Sequence, residues 1–354
     1  MTPTNDENDL TEDERTVLWI ISELQTRDKD PKTNEITISE NLKITLTREG
    51  IKKLKTISEK NIDSDSAINT LIAKELIFID GSELKLTEVG IKIGKVIRSK
   101  QMSNWYNDNL IRCATSKAYA LFCEKVFGKN LLQFNVLDMD QLEKLISSLN
   151  LNSNDSALDL GCGLGKITEY IHKKTGAKII GVDFAEHLIH WARENTVTND
   201  NMLVFQVGNI NELIFPRSSF DAIFAIDTLY PTNVDNLEVT IARLKELLKP
   251  KGQLGIFFAQ IIESEEQKHA VEPNQTKMAL ALRNNNLDYT VIDFTQNARD
   301  IWQREITFAT ELQEMFEKEG NLDLCEDRIA DGKRCIQRID KQLQKRYFYH
   351  ASGI

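Results

Sequence analysis

Nowhere does the chain hold an apolar run near the roughly 18 residues that a membrane-spanning helix needs. Its polar start, Met1 to Asp9, lacks the basic and then apolar pattern of a signal peptide. The expectation is therefore a soluble, cytoplasmic protein with no membrane partner. Cysteine is scarce: Cys113, Cys123, Cys162, Cys325 and Cys335 form no C-x-x-C pair and have no His at ligand spacing. Neither a disulfide framework nor a metal site is supported, and most of these thiols read as small buried side chains. Positive charge is also short, with 44 Lys and Arg against 54 Asp and Glu, a formal net charge of -10 and a pI near 5.2. Such a balance argues against broad attraction to phosphate backbones. No repeat or low-complexity tract occurs, and with 41% hydrophobic and 28% charged residues a collagenous, wholly disordered or disulfide-scaffold chain is excluded.

At 354 residues the chain is about twice the length of a common single domain, so a main domain with a second one is expected. Residues 1–10 read as a flexible tail. Thr11 and Glu14 then stand at capping-box spacing ahead of Val17, Ile20, Ile21 and Leu24, which marks a helix start. A charged loop, Thr26 to Glu35, leads to Ile36 to Ile44 and to a helical stretch around Glu49 to Ile57. The next helix, Ser64 to Leu76, carries Ile68, Leu71, Ile72 and Leu76 on one stripe. Ile77 to Ile79, the Gly81-Ser82 turn and Leu84 to Leu86 read as a hairpin, and Thr87 opens a last helix through Ile97.

That order, and LIAKELIFIDGSELKLTEVGIKIGKVI in particular, resembles a winged helix, so residues 11–100 are expected to form a small winged-helix-like α+β domain. In the resemblance Ser64 to Leu76 is the recognition helix, presenting Asp65, Asn69, Thr70, Lys74 and Glu75. One cation against two anions there, and 16 Lys and Arg against 19 Asp and Glu over residues 1–100, speak against a nucleic-acid partner. They favour a domain that builds a homodimer or covers a neighbouring active site.

Residues 101–150 read as connecting or lid helices carrying Trp105, Tyr106, Tyr119, Phe122 and Phe127. From Ser156 onward, strand-like runs at Ala157 to Leu160, Lys178 to Val182, Met202 to Val207, Ala222 to Ile226 and Gln253 to Phe258 alternate with helical patterns. Such alternation predicts a doubly wound α/β sheet with helices on both faces. A helix near Thr276 to Arg283, a strand near Tyr289 to Phe294, a long helical stretch from Asp300 to about Gln344 and a strand at Arg346 to His350 follow.

The strand Ala157 to Leu160 runs into Gly161-Cys162-Gly163-Leu164-Gly165 and then into a helix. Glycines there permit a tight turn and close approach of a ligand to backbone N–H groups. The spacing is G-x-G-x-G, with Lys166 where a dinucleotide fingerprint has its third glycine. Asp159, two residues before Gly161, would repel a pyrophosphate but accept from an ammonium group. Asp183 ends the next strand eighteen positions after Gly165, where a ribose-binding carboxylate belongs. A cationic, ribose-bearing ligand fits this set better than NAD.

The segments LDLGCGLGKITEYI, KIIGVDF, VGNINEL, FDAIFAIDTLY and LLKPKGQLGIFF together resemble the successive motifs of class I S-adenosylmethionine-dependent methyltransferases over about Leu131 to Phe258. The resemblance implies a Rossmann-like seven-stranded sheet in residues 151–354, with a helical insert at about 297–344. It also implies S-adenosylmethionine as cofactor and S-adenosylhomocysteine as product. Asp159, Leu160 and the turn of Gly161, Cys162, Gly163 and Gly165 would approach the methionine part. Asp183 would take the ribose hydroxyls, Phe184 would lie on the adenine, and Asn209 with the backbone of Ile210 would read its edge. Asn209 departs from the commoner Asp, yet an amide can still accept from the adenine amino group. Asp183→Ala is then expected to weaken cofactor binding while leaving the free protein's thermal midpoint nearly unchanged.

Methyl transfer chiefly requires the acceptor atom to be held in line with the sulfonium methyl. Asp227 would border that site. If the acceptor must lose a proton, Asp227, Tyr230 and His350 are the candidates, although Tyr230 could equally be packing and His350 a solvated strand end. Asp227-Thr228-Leu229-Tyr230 stands where amino-methylating nucleic-acid enzymes carry Asn/Asp-Pro-Pro-Tyr/Phe, which points to a small-molecule acceptor. The alternatives are a nucleic-acid or protein methyltransferase docking through the winged helix, and a non-catalytic regulator that senses the cofactor. Trp302, Phe308, Met315 and Phe316 either line a lid or dock the insert.

Overall fold

A computed structural model describes residues 7–25, 36–39, 42–54, 57, 59–197, 201–230, 234 and 236–352. It separates into two compact units, Met1–Trp105 and Tyr106–Ile354. In the first, helix α1 (Glu12–Gln25) starts at the expected box: Thr11 N donates to Glu14 Oε2 at 3.0 Å and Glu14 N to Thr11 Oγ1 at 3.2 Å. Strands β1 (Ile36–Ser39) and β2 (Leu42–Ile44) pair antiparallel, an element type that the sequence had left open. Helix α2 (Arg48–Lys52) is capped by Thr47 and α3 (Ser64–Ala73) by Asp63. Strands β3 (Ile77–Asp80) and β4 (Glu83–Leu86) pair antiparallel around Gly81, whose φ of 65° suits the tight turn.

Two boundaries differ from the expectation. The tail is shorter, because Glu7–Asp9 form a 3₁₀ turn, Leu10 is buried, and Arg15 Nη1 donates to Leu10 O at 2.7 Å; residues 1–6 lie outside the described ones. The helix expected to close at Ile97 runs on as α4 (Glu88–Thr115), since no Gly or Pro interrupts 98–115. Ile93 and Ile97 join the core of the first unit and Leu110 and Cys113 those of the second.

The second unit continues with α5 (Lys117–Phe127), α6 (Met139–Leu149), β5 (Ser156–Leu160), α7 (Lys166–Thr175), β6 (Lys178–Asp183), α8 (Glu186–Asn195) and β7 (Leu203–Val207). After these come β8 (Phe220–Ile226), α9 (Leu237–Leu247), β9 (Leu248–Ile261), α10 (Lys277–Asn284), β10 (Asp288–Asp293), α11 (Thr295–Lys318), α12 (Leu322–Asp340) and β11 (Gln344–Ser352). The seven strands lie in the order β7-β6-β5-β8-β9-β11-β10. All are parallel except β11, which runs antiparallel to both its neighbours. Alternation along the strands supplies two cores. Ala157, Ile179, Phe224, Phe257 and Phe348 pack on one face, and Leu158, Ile223, Ile256, Tyr347 and Tyr349 on the other.

The insert between β10 and β11 is two helices, because Gly320 at φ 71° ends α11. Its aromatics dock it: Trp302 and Phe316 are buried with Phe122 and Cys123 of α5, and Phe308 lies under the Lys125 ammonium, 4.8 Å from the ring centroid. Met315 is exposed. On the same buried stripe stands Glu305, 0% exposed, whose oxygens have no hydrogen-bond partner among the described residues; Arg328 Nη1 is 4.0 Å from Oε2.

Burial pushes the Glu305 carboxyl up to about 8, with Arg328 opposing. A group so raised stabilises the fold fully below about 4.5 and loses that contribution as pH rises through about 8. Glu305→Gln is expected to match the wild type at acid pH and to exceed it at pH ~9 by on the order of 1–4 kcal/mol. Urea midpoints across pH measure this; parallel curves for the two proteins would contradict it.

Candidate active site

The carboxyl ends of β5, β6, β7 and β8 meet at one edge of the sheet, the place where open α/β sheets bind ligands. At the end of β5 the chain turns at once. Gly161 N and Cys162 N both donate to Val182 O, at 2.7 and 3.1 Å, and Gly165 N to Cys162 O at 2.9 Å. Gly161 and Gly165 have φ of 75° and 72°. A Cβ at the first would stand 2.4 Å from Thr228 Oγ1, and at the second 2.6 Å from the Phe205 ring. Backbone conformation and space thus both demand glycine.

Two carboxylates flank this turn. Asp159 is 3% exposed and accepts from Thr168 Oγ1 at 2.6 Å. Burial pushes it up to about 7; Thr168 opposes and Asp183 adds to the rise. Asp183 accepts from Gly163 N at 3.0 Å and from Ala185 N at 2.9 Å, and burial raises its carboxyl against those amides. Gly208 N donates to Asp183 O at 2.9 Å, joining the end of β7 to that of β6. Phe184 is half-buried and meets Tyr106 edge-on, centroids 5.8 Å apart. Tyr106, whose phenol is raised by burial and then by Asp183, was noted in the sequence only as a connector aromatic. Leu160 is buried at the strand end, and Cys162 is half-buried with its thiol held well above the usual range by burial. Asn209 caps the short turn Ile210–Glu212, its Oδ1 accepting from Asn211 N at 3.0 Å.

Asp183 braces the turn, which corrects the expected outcome of its removal. Asp183→Ala strips two backbone donors of their acceptor. It is expected to cost the free protein about 1–3 kcal/mol as well as weakening ligand binding about tenfold or more. Denaturation of the free protein beside calorimetry of S-adenosylhomocysteine checks both; unchanged stability would return Asp183 to a purely ligand-facing role.

Beyond the turn, Asp227 follows directly on β8 with a φ of 54°, a strained backbone for a non-glycine residue. Its Oδ1 takes the Tyr230 OH at 2.6 Å and an ion pair with Arg346 Nη1; its Oδ2 takes Val136 N at 3.3 Å. Tyr230 OH accepts in turn from Ala259 N at 3.3 Å, and burial, then Asp227, hold its phenol well above the usual range. Tyr230 is thus placed as a donor to Asp227, where the sequence had offered it as a candidate base or as packing. His350 is not in this site. It lies opposite Gly255 in β9, while Arg346 lies opposite Ala259, nearer the ligand-binding edge. The two stand four positions apart along the strand, about 13 Å. The His350 Nε2 is 2.7 Å from Gln253 Oε1 and its ring stacks on Phe348. Alternation in an apolar strand had offered no sign of which end of the sheet it occupies.

Arg346, Gln141 and Thr168 were missed. Gln141 is fully buried, its Oε1 accepting from Arg346 Nε at 2.9 Å and its Nε2 donating to Val136 O at 3.0 Å and to Asn297 Oδ1. An arginine set into an apolar strand, RYFYH, was the one signal present. Among the described residues no group of His, Cys, Asp or Glu could hold a metal ion.

Residues 157–252 match the model of a methyltransferase domain. A phosphoethanolamine N-methyltransferase of Plasmodium falciparum is 31% identical over 131 residues, 37% of this chain and 48% of its own length. A sterol 24-C-methyltransferase of Candida albicans is 31% identical over 117 residues, 32% of this chain and 30% of its own. This chain thus spans less than half the length of these curated relatives. Among solved structures, phosphoethanolamine N-methyltransferase 2 of Haemonchus contortus, in complex with phosphomonomethylethanolamine and S-adenosylhomocysteine, superposes with a TM-score of 0.55 at 20% identity. That superposition covers 70% of this chain and 60% of the other. The doubly wound seven-stranded sheet is the class I S-adenosylmethionine-dependent methyltransferase fold, and the match at residues 157–252 falls within it.

Proposed function

We propose that this protein is an S-adenosylmethionine-dependent methyltransferase acting on a small molecule. The observation that carries the reading is the convergence of Asp159 and Asp183 on a turn made of Gly161, Gly163 and Gly165. The residues fit the cofactor. Asp183 stands where ribose hydroxyls would lie, Phe184 and Tyr106 offer an aromatic wall for the adenine, and the buried carboxyl of Asp159 supplies negative charge toward the amino-acid end. When bound, the cofactor supplies a methyl group on a sulfonium. The chain's own part is to hold the acceptor in line with it and to exclude water. Asp227, held by Arg346, Tyr230 and Val136 N, is the group we place beside the acceptor.

Calorimetry is expected to register S-adenosylmethionine and S-adenosylhomocysteine and not NAD; NAD binding without a response to either sulfur ligand would overturn the reading. A labelled-methyl screen against metabolites then seeks the acceptor, beginning with phosphoethanolamine and sterols, the compounds named by the relatives.

For the first unit we propose a role other than docking on nucleic acid. Lys74 Nζ is 2.7 Å from Glu14 Oε2 and donates to Asp9 O at 2.9 Å, so the one cation of the expected recognition face is neutralised. Asp65 is paired with Lys52 at 2.7 Å. Phe78, Ile79 and Val89 are exposed, which supports a self-contact. Duplex DNA is expected to show no saturable shift at low salt. Sedimentation is expected to report a homodimer that deletion of residues 1–100 disrupts; tight DNA binding lost on that deletion would favour the regulator instead. Among the described residues no helix is long and apolar enough to cross a membrane.

A further inference from the structure

Arg346 enters the apolar strand β11 as its third residue and is 3% exposed. Protein groups satisfy two of its three guanidinium nitrogens: Nε donates to Gln141 Oε1 and Nη1 pairs with Asp227. The third, Nη2, is shut off from solvent and has no hydrogen-bond partner among the described residues. A guanidinium is planar and its donors form a rigid fork, so Nη2 is held in the plane that Gln141 and Asp227 fix through the other two nitrogens. Asp227 is already committed on both oxygens, to Arg346, Tyr230 and Val136 N. Gln141 is committed at both ends of its amide. The Phe257 ring, 5.1 Å from the guanidinium carbon, fixes the plane from below.

A buried donor without an acceptor is costly, and native proteins keep few of them. This one stands at the edge of the sheet where the ligand-binding turn ends. Thr228, next to Asp227 in the chain, is packed against Gly161. The charges nearby already balance in pairs, Arg346 with Asp227 and Arg304 with Asp138. No carboxylate oxygen of these pairs is left for Nη2 to take, so an anionic oxygen from a bound molecule would satisfy it.

We propose that Arg346 is an acceptor-binding residue whose free Nη2 takes an anionic oxygen of the small-molecule acceptor, a carboxylate or a phosphate, and so sets the acceptor beside Asp227. This rests on the methyltransferase reading, because it takes the molecule beside Asp227 to be the methyl acceptor. It adds a specificity residue 119 positions away from Asp227 in the chain.

The test titrates the protein calorimetrically with inorganic phosphate and, separately, with acetate, both free and saturated with S-adenosylhomocysteine. Arg346→Lys runs alongside: it keeps a positive charge for Asp227 and has no second nitrogen to offer. The expected result is saturable binding of one anion by the wild type, phosphate or acetate deciding between the two kinds of acceptor. That binding is expected to weaken at least tenfold in Arg346→Lys, with S-adenosylhomocysteine affinity kept within twofold. Should Arg346→Lys fail to fold, the neutral pair Asp227→Asn with Arg346→Gln supplies the same comparison. If neither anion binds, or if the variants bind it as well as the wild type, the assignment is overturned. Failure of S-adenosylhomocysteine to bind overturns the methyltransferase reading instead, while the titration of the free protein still decides the role of Arg346.

Discussion

S-adenosylhomocysteine affinity is expected to fall about a hundredfold or more in Gly161→Ala, a loss of roughly 3 kcal/mol of binding free energy. Two effects act together. At a φ of 75° an L side chain costs about 1–2 kcal/mol. The added Cβ would also stand 2.4 Å from Thr228 Oγ1 and 2.6 Å from its methyl carbon. Thr228 cannot simply rotate away at no cost, because its hydroxyl donates to Ile226 O at 3.0 Å. The turn itself must shift, and with it the N–H groups that face the ligand. The free protein should lose about 1–3 kcal/mol as well, the usual range for overpacking. Gly163→Ala makes the contrast, since its Cβ meets only Leu110, at 3.7 Å, and its expected loss is the smaller. Calorimetry on the two variants checks the ordering; wild-type affinity in Gly161→Ala would show that the turn does not contact the cofactor.

Removing the cation of the buried pair is expected to have the largest effect on stability. Arg346→Met leaves the Asp227 carboxylate, only 12% exposed at its side chain, without its counter-charge, and breaking a buried pair from one side costs about 3–5 kcal/mol. Gln141 Oε1 loses its donor in the same step. Adding Asp227→Asn to Arg346→Met should recover a large part of that loss, because the uncompensated charge is gone while Tyr230 OH and Val136 N keep an acceptor oxygen. Urea denaturation of the two single variants and the double variant gives the coupling. Additive losses would mean that the pair contributes little beyond its hydrogen bonds. Burial works against the charge on Arg346, and Asp227 outweighs it, which keeps the guanidinium protonated above its ordinary range.

The ligand-binding half of the site was legible in sequence because it is local. Asp159, Gly161, Gly163 and Gly165 lie within seven consecutive residues, and Asp183 ends the very next strand. A strand, a glycine turn and a helix start are each set by neighbours in the chain. The same holds for the capping box at Thr11 and Glu14 and for the hairpin turned at Gly81. What misled was a residue whose type suggested chemistry and whose place in the register denied it. His350 and Arg346 belong to one strand, and only pairing with β9 puts the arginine, and not the histidine, beside Asp227. Tyr230 was in the right place, yet its hydrogen bond to Asp227 decides that it donates.

By itself, the sequence determined the alternation of strands and helices, the turn that only glycine can make, and the two acidic strand ends beside it. Those are consequences of backbone conformation and of side-chain period along a few residues. Tertiary structure decided what the acceptor side is made of. Gln141, Asp227 and Arg346 come from a helix, the bend after β8 and strand β11, the first and last 205 positions apart, and they meet because β11 inserts antiparallel between β9 and β10. Local pattern marks Arg346 only as a cation at the start of a strand. Burial among Asp227, Gln141 and Phe257 makes it a donor with one nitrogen still to satisfy, and burial depends on which strands lie side by side.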